Sequence, residues 1–178
     1  DFENGFMGFI NTPEYGKIKV NVKVIGEHSL RPIIAAAAVS AKLGVSPEQI
    51  SSGVSKINSV PGRMNLLRGM QESMIIDDTY NSSPAAAEAA LKALYELPGT
   101  SKIAVLGDMN ELGESSATEH KKLGELCNGV QLSWVITVGE QANKYIAPAA
   151  RAKGCQVKEC KNALEAGAFA HKVLEKGS

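Results

Sequence analysis

The sequence predicts an α/β fold with a Rossmann-like, mostly parallel sheet, and three observations lead there. Short apolar runs recur at Met74-Ile75-Ile76, Ile103-Ala104-Val105-Leu106 and Trp134-Val135-Ile136-Thr137-Val138. The segments between them carry apolar residues at helical spacing. Each of the first two runs ends in a polar stretch that precedes a helix, so polar chemistry collects at strand ends, where open α/β sheets bind ligands. Strands and helices alternating at this length imply a parallel sheet with right-handed crossovers and helices on both faces.

Residues 1–30 read as β-rich, because Lys17–Ile25 alternates lysine or asparagine with Ile or Val, the period of a half-buried strand. Gly26-Glu27-His28-Ser29 breaks that pattern. A helix over 32–43 places Ile33, Ile34, Ala37 and Ala38 on one face, and Gly44 stops it. Ser46-Pro47-Glu48-Gln49 reads as an N-cap, Pro at N1 and a capping-box Gln at N3. Ile50, Val54 and Ile57 form the stripe of that second helix. Val60-Pro61-Gly62 marks a domain boundary, dividing the chain into 1–62 and 63–178.

Leu66-Leu67 and Met74–Ile76 form a hairpin across Gly69–Ser73. The helix that starts at Pro84 buries Ala87, Leu91, Leu94 and Tyr95. A strand over 102–106 follows. Ser116-x-x-Glu119 reads as a second capping box, opening a helix that buries Leu123 and Leu126 and ends near Gly129. After the strand 134–138 come a helix over 141–152 and a short strand near 156–158. Asn162-x-x-Glu165 caps the last helix, with Ala166, Phe169, Ala170 and Val173 inward.

Composition excludes several classes. Lys+Arg and Asp+Glu balance at 19 each in 178 residues, which argues against a nucleic-acid or anionic-membrane surface. No apolar run approaches the roughly 20 residues that span a bilayer. No signal-peptide pattern opens the chain. The first residue is Asp1, not Met, so a fragment or a processed piece is the expectation. Three cysteines, Cys127, Cys155 and Cys160, lack metal-type spacing and read as reduced thiols of a cytoplasmic protein. Cys155 and Cys160 flank an edge strand and could pair.

The residues with chemistry sit at strand ends and at the boundary. Asp78, just past a strand, can accept both hydroxyls of a ribose. Asp77 beside it points the other way while the strand's period of two persists. Ser83 is an N-cap and Pro84 is N1. Tyr80 and Asn81 are not needed for capping, and they suit either a nucleotide pocket or an ordinary loop. Arg63, next to Gly62, can reach a phosphate with its planar fork of donors or make a surface ion pair. Asp108, Asn110, Glu111 and Glu114 follow the next strand; they can bind an ammonium group or simply be solvated. His120 lies in a helix, where a structural role is the default. His28 can face a base or be structural.

No G-x-x-x-x-G-K-[S/T], G-x-G-x-x-G, H-E-x-x-H or Cys-x-x-Cys is present, and no catalytic centre is complete in this chain.

Asp77-Asp78-x-Tyr80-Asn81-x-x-Pro84 and Leu106-Gly107-Asp108-Met109-x-Glu111-Leu112-Gly113, in that order, resemble the Mur ligases, the ATP-dependent amide-bond-forming family of peptidoglycan synthesis. Gly26-Glu27-His28-Ser29, the alanine-rich helix, Leu43-Gly44-Val45 and Pro61-Gly62-Arg63 extend the resemblance upstream. It implies that 1–62 is the end of a central ATPase domain and that 63–178 is the C-terminal domain. The similarity is to the branch that adds D-alanyl-D-alanine to UDP-N-acetylmuramoyl-tripeptide through an acyl phosphate.

On that resemblance Asp78 holds the ATP ribose, Arg63 lies against the phosphates, and Tyr80, Asn81 and His28 line the nucleotide site. Asp108, Met109, Glu111 and Leu112 shape the dipeptide site. The implied cofactors are ATP and Mg2+, with metal ligands and P-loop upstream, so no metal ligand is expected here and the chain alone is expected to be inactive. A cytoplasmic monomer is implied. Ser29 and Pro32 stand where the family usually has asparagines, and Ser83 where it often has another. Two alternatives stay open: a folylpolyglutamate- or cyanophycin-synthetase-type ligase, and a non-catalytic Rossmann-like binding module.

Overall fold

The computed structural model describes residues 5–178; the first four residues of the β-rich stretch lie outside the described ones. The chain divides into two compact units, Asp1–Leu66 and Leu67–Ser178.

In the first unit, β1 (Phe6–Thr12) and β2 (Gly16–Val22) pair as an antiparallel hairpin with Ile10 opposite Ile18. The alternation read from the sequence appears in β2, where Ile18, Val20 and Val22 are buried and the residues between them are exposed. Two helices follow, α1 (Leu30–Lys42) and α2 (Pro47–Ser55). Ile33, Ala37 and Ala41 of α1 meet Ile50 and Val54 of α2 in the core. Ile34 and Ala38, expected inward, are exposed, because the helix turns its buried stripe along i, i+4, i+8. The capping box at Ser46 forms with both of its reciprocal bonds.

The second unit opens with a hairpin of β3 (Asn65–Arg68) and β4 (Met74–Asp77). The first residues of β3 belong to the preceding unit. Helix α3 (Pro84–Glu96) follows, then a three-stranded sheet in the order β5 (Ile103–Gly107), β6 (Trp134–Val138), β7 (Val157–Cys160). Both pairings are parallel, with Ala104 beside Val135 and Val135 beside Val157. Helix α4 (Ser116–Leu126) precedes β6. A π-helical turn, Ala142–Ile146, leads into α5 (Ala147–Ala152), and α6 (Ala163–Val173) ends the described elements.

Helices cover both faces of this sheet. Val135 packs with Leu91 of α3, Leu123 of α4 and Ala150 of α5. Its neighbour Ile136 faces the other way, toward Ala166 and Phe169 of α6. Phe169 meets Trp134 edge to face at 4.9 Å, a favoured aromatic geometry.

Two expectations need correction here. Ser116-x-x-Glu119 is not a capping box: a 3-10 turn at Gly113–Ser115 runs straight into α4, and both Ser115 and Ser116 are already in the right-handed helical region. A capping serine must be extended, so Ser116 is left to turn its hydroxyl toward His120 and Gln141. Leu126, expected inward, is exposed; α4 stops at that residue, and its carbonyl accepts from the Tyr95 hydroxyl at 3.0 Å. The same oxygen of Tyr95 accepts the N–H of Asn128 at 3.0 Å, so one phenol closes the end of α4.

All three cysteines are free and buried. Cys155, before β7, and Cys160, its last residue, are not joined. No helix among the described residues is long and apolar enough to cross a membrane.

Burial, reinforced by nearby Cys155, pushes the Cys127 thiol from 9.0 up to about 12. Burial and then Cys127 push the Tyr95 phenol from 10.0 up to about 12. Both raised values mean the folded state keeps protons that the unfolded chain releases between pH 9.0 and about 12. Stability is therefore full below that window and falls as pH rises through it. Urea midpoints should drop across the window, and Tyr95→Phe, which cannot ionise, should show a shallower drop above pH 10.0. Equal slopes for the two proteins would remove Tyr95 from this account.

Candidate functional site at the strand ends

Three loops leave the carboxyl ends of β4, β5 and β6. After β4, Asp77 turns its carboxylate back onto its own loop: Oδ1 accepts from the Thr79 hydroxyl at 2.6 Å and from the Thr79 N–H at 3.3 Å. This is an Asx-type turn, and it gives Asp77 a local structural job. Asp78 is half-buried immediately past the strand, while Tyr80 is 75% exposed and Asn81 is also exposed. The Asn81 side-chain oxygen accepts the N–H of Ser82 at 3.0 Å. Ser83 is the N-cap expected of it, extended and accepting from Ala86 N–H, with Pro84 first in the helix.

The loop after β5 is held from two sides. Asp108 Oδ1 accepts from Ala142 N–H at 2.7 Å, and Oδ2 accepts from Glu140 N–H at 3.1 Å. The carboxylate of one loop thus caps the helix that begins after the neighbouring strand, where the free N–H groups and the helix dipole favour an anion. Gly139 makes room for it. Its φ is +102°, and a Cβ there would lie 2.5 Å from Asp108 Oδ2.

Next to Asp108, Met109 is buried and donates its N–H to His120 Nε2 at 2.9 Å. His120 is fully buried, and its Nδ1 lies 2.7 Å from the Ser116 carbonyl oxygen. A carbonyl only accepts and an amide N–H only donates, so this ring is neutral with its proton on Nδ1. Asn110 and Glu111 project from the loop and are exposed, Glu111 with φ at 63°. Leu112 packs against the core.

The structure therefore distributes the sequence-predicted residues unevenly. Asp78, Tyr80 and Asn81 share one loop. Asp108, Met109 and Leu112 support the next loop from inside, while Glu111 faces out. Arg63 and His28 belong to the first unit. Arg63 is exposed and closes a turn by donating its N–H to Val60 O at 2.9 Å, with Pro61 and a left-handed Gly62 (φ 73°) at the centre, the pattern of a type II turn. His28 folds its ring over Gly26, where an added Cβ would lie 2.6 Å from Cε1. Ser29 donates its hydroxyl to Ile25 O at 2.7 Å. Sequence reasoning missed Gly139, whose one signal was a glycine directly after the strand 134–138. Among the described residues no three His, Cys, Asp or Glu side chains gather as a metal site.

Helices on both faces of a parallel sheet, with polar loops at the strand ends, define a Rossmann-like α/β domain. Residues 62–178 match the family model described as Mur ligase, glutamate ligase domain. The chain belongs to the Mur ligase family. It is 32% identical over 134 residues to UDP-N-acetylmuramoyl-tripeptide--D-alanyl-D-alanine ligase of Escherichia coli K12, covering 75% of this chain and 29% of that protein. The ligase of the same name from Bacillus subtilis 168 is 33% identical over 67% of this chain and 26% of its own length. This chain thus spans less than a third of the curated relatives it matches.

Among solved structures, MurF from Acinetobacter baumannii superposes with a TM-score of 0.76 at 31% identity, over 94% of this chain and 37% of that one. MurF ligase from Thermotoga maritima, in complex with ADP, gives 0.75 at 28% identity, over 91% and 36%.

Gly139→Ala should cost about 2–4 kcal/mol, combining left-handed strain with a displaced cap. Asp108→Ala should cost about 1–3 kcal/mol by orphaning two N–H groups. Urea unfolding monitored by Trp134 fluorescence reads both; a loss below about 0.5 kcal/mol for Gly139→Ala, within the scatter of neutral surface changes, would show that the loops are not locked through this contact.

Proposed function

We propose that the chain is the C-terminal part of an ATP-dependent ligase that adds D-alanyl-D-alanine to UDP-N-acetylmuramoyl-tripeptide in peptidoglycan synthesis. The observation that carries the reading is the 32% identity to the E. coli ligase over 134 residues, a stretch long enough to include both strand-end motifs. On this reading residues 1–62 are the end of the central ATPase domain and 63–178 the C-terminal domain. The parent enzyme acts as a cytoplasmic monomer. The ADP complex of the Thermotoga maritima neighbour supports a nucleotide as one ligand.

The residues fit a nucleotide in a divided way. Asp77 accepts from Thr79 within its own loop; Asp78, half-buried just past the strand, is the carboxylate that the family resemblance assigns to a ribose diol, through charge-assisted hydrogen bonds of about 1.5–3 kcal/mol each. Tyr80 offers an exposed ring and Asn81 an amide beside it. Arg63 and His28, both in the first unit, remain ATP-binding candidates on the family resemblance, Arg63 for a phosphate. Glu111, projecting from a loop locked by Asp108 and Met109, faces the ammonium of the incoming dipeptide. ATP supplies the phosphoryl group that activates the acceptor carboxylate. Mg2+ and the P-loop belong to the rest of the parent protein, as this sequence contains no such motif.

In a complete ligase carrying this chain, Asp78→Ala should weaken ATP affinity about tenfold or more, equivalent to about 1.4 kcal/mol; an unchanged affinity removes Asp78 from the ribose. The isolated chain should release no phosphate from ATP. Release that depends on both co-substrates would overturn the assignment of phosphate binding to the rest of the protein. Competition between D-alanyl-D-alanine and glutamate in the complete enzyme separates this reading from a glutamate-adding ligase.

A further inference from the structure

The loop between β5 and α4 carries two exposed residues between two that pack inward. Met109 is 2% exposed and Leu112 packs against the same core, while Asn110 and Glu111 face solvent. The Leu112 end is fixed locally: its carbonyl accepts the Ser115 N–H at 3.1 Å and the Ser115 hydroxyl at 2.7 Å. At the other end the Met109 N–H donates to His120 Nε2 at 2.9 Å. Between these anchors Glu111 stands at φ 63°, a left-handed conformation that a non-glycine residue keeps when its surroundings impose it.

His120 is prepared for this bond through its other nitrogen. Nδ1 lies 2.7 Å from the Ser116 carbonyl oxygen, and donating a proton there leaves Nε2 as an acceptor, the state that can take an amide N–H. The Ser116 hydroxyl lies 3.3 Å from the same Nδ1 and 3.5 Å from Gln141 Oε1, just past β6. The first turn of α4 and the segment after β6 therefore orient the ring that meets Met109. The ring is fully buried, so losing its acceptor strands a buried N–H.

We propose that His120 is a positioning residue for the substrate: acting through the Met109 N–H, it holds Asn110 and Glu111 in the arrangement that receives the ammonium end of the dipeptide. The proposal rests on reading the loop 108–112 as the dipeptide site. A loop tip ordered in advance loses less conformational freedom when its ligand arrives. The hydrogen bonds of His120 go to Met109 and Ser116, not to the loop that carries Asp78, so the anchor bears on the dipeptide and not on ATP.

Two substitutions separate the ring nitrogens. A glutamine side chain carries its amide to the reach of Nε2 and keeps an acceptor for Met109. An asparagine amide ends at the reach of Nδ1, keeping the Ser116 partner and abandoning Met109. In the 178-residue chain, amide hydrogen exchange read by NMR should show the protection of Met109 falling about tenfold or more in His120→Asn and returning in His120→Gln. In a complete ligase carrying this chain, KM for D-alanyl-D-alanine should rise about tenfold in His120→Asn and recover in His120→Gln, with KM for ATP held within about twofold in both.

Equal Met109 exchange in the two variants would mean that His120 acts by filling space alone, and it overturns the proposal whatever the loop binds. Exchange that separates the variants while the dipeptide KM stays unchanged would leave the anchor in place and remove the dipeptide from this loop; the positioning role then falls together with that functional reading. If neither variant folds, long-range proton–nitrogen NMR of the unaltered chain reads the ring itself. A proton on Nδ1 with a protected Met109 N–H supports the proposal, and a proton on Nε2 overturns it.

Discussion

Both strand-end loops of the parallel sheet depend on one carboxylate. Asp108 accepts two backbone N–H groups from the helix that follows β6, and those groups have no intrahelical partner at a helix start. The bond therefore does two things at once: it satisfies the helix and pins the loop after β5. Gly139 permits the close approach by lacking a Cβ. Met109 then fixes the next residue of the loop through the buried His120. With Asp108 and Met109 turned inward, Asn110 and Glu111 are the residues this loop shows to solvent.

The same division of labour separates Asp77 from Asp78. Adjacent and chemically identical, they differ because Asp77 still belongs to β4 and can reach back to Thr79 two residues on, while Asp78 begins the loop. The loop itself is anchored at its far end by the Ser83 cap of α3. A binding group gains from such anchoring, because a side chain held in place loses less freedom when the ligand arrives.

Much of this was legible in the residues. Alternation in Lys17–Ile25, the Ser46 capping box, the Ser83-Pro84 helix start and the strand 134–138 are local signals, and local physics decides them. What escaped were features decided by contacts distant in sequence. Ser116-x-x-Glu119 has the letters of a capping box, but a 3-10 turn before it had already set the backbone helical. Asp108 looks like a ligand group until the helix at Glu140 claims both of its oxygens. Ile34 and Ala38 are apolar without being buried, since i, i+4, i+8 spacing through Ile33 selects a neighbouring stripe. His120 could be read as structural from the sequence, yet its neutral tautomer required knowing that a carbonyl and an amide N–H stood on opposite sides of the ring.

The three loops are not equally well supported, and this bears on how the site works. The loops after β5 and β6 rest on a continuous parallel ladder and on the Asp108 cap. The loop carrying Asp78 rests on a strand that, among the described residues, is paired with β3 alone. At the very start of that strand the Met74 N–H is held by the carbonyl of Ser178. The carboxylate of Asp78 is only as well positioned as the strand it follows, and among the described residues that strand pairs with β3 alone.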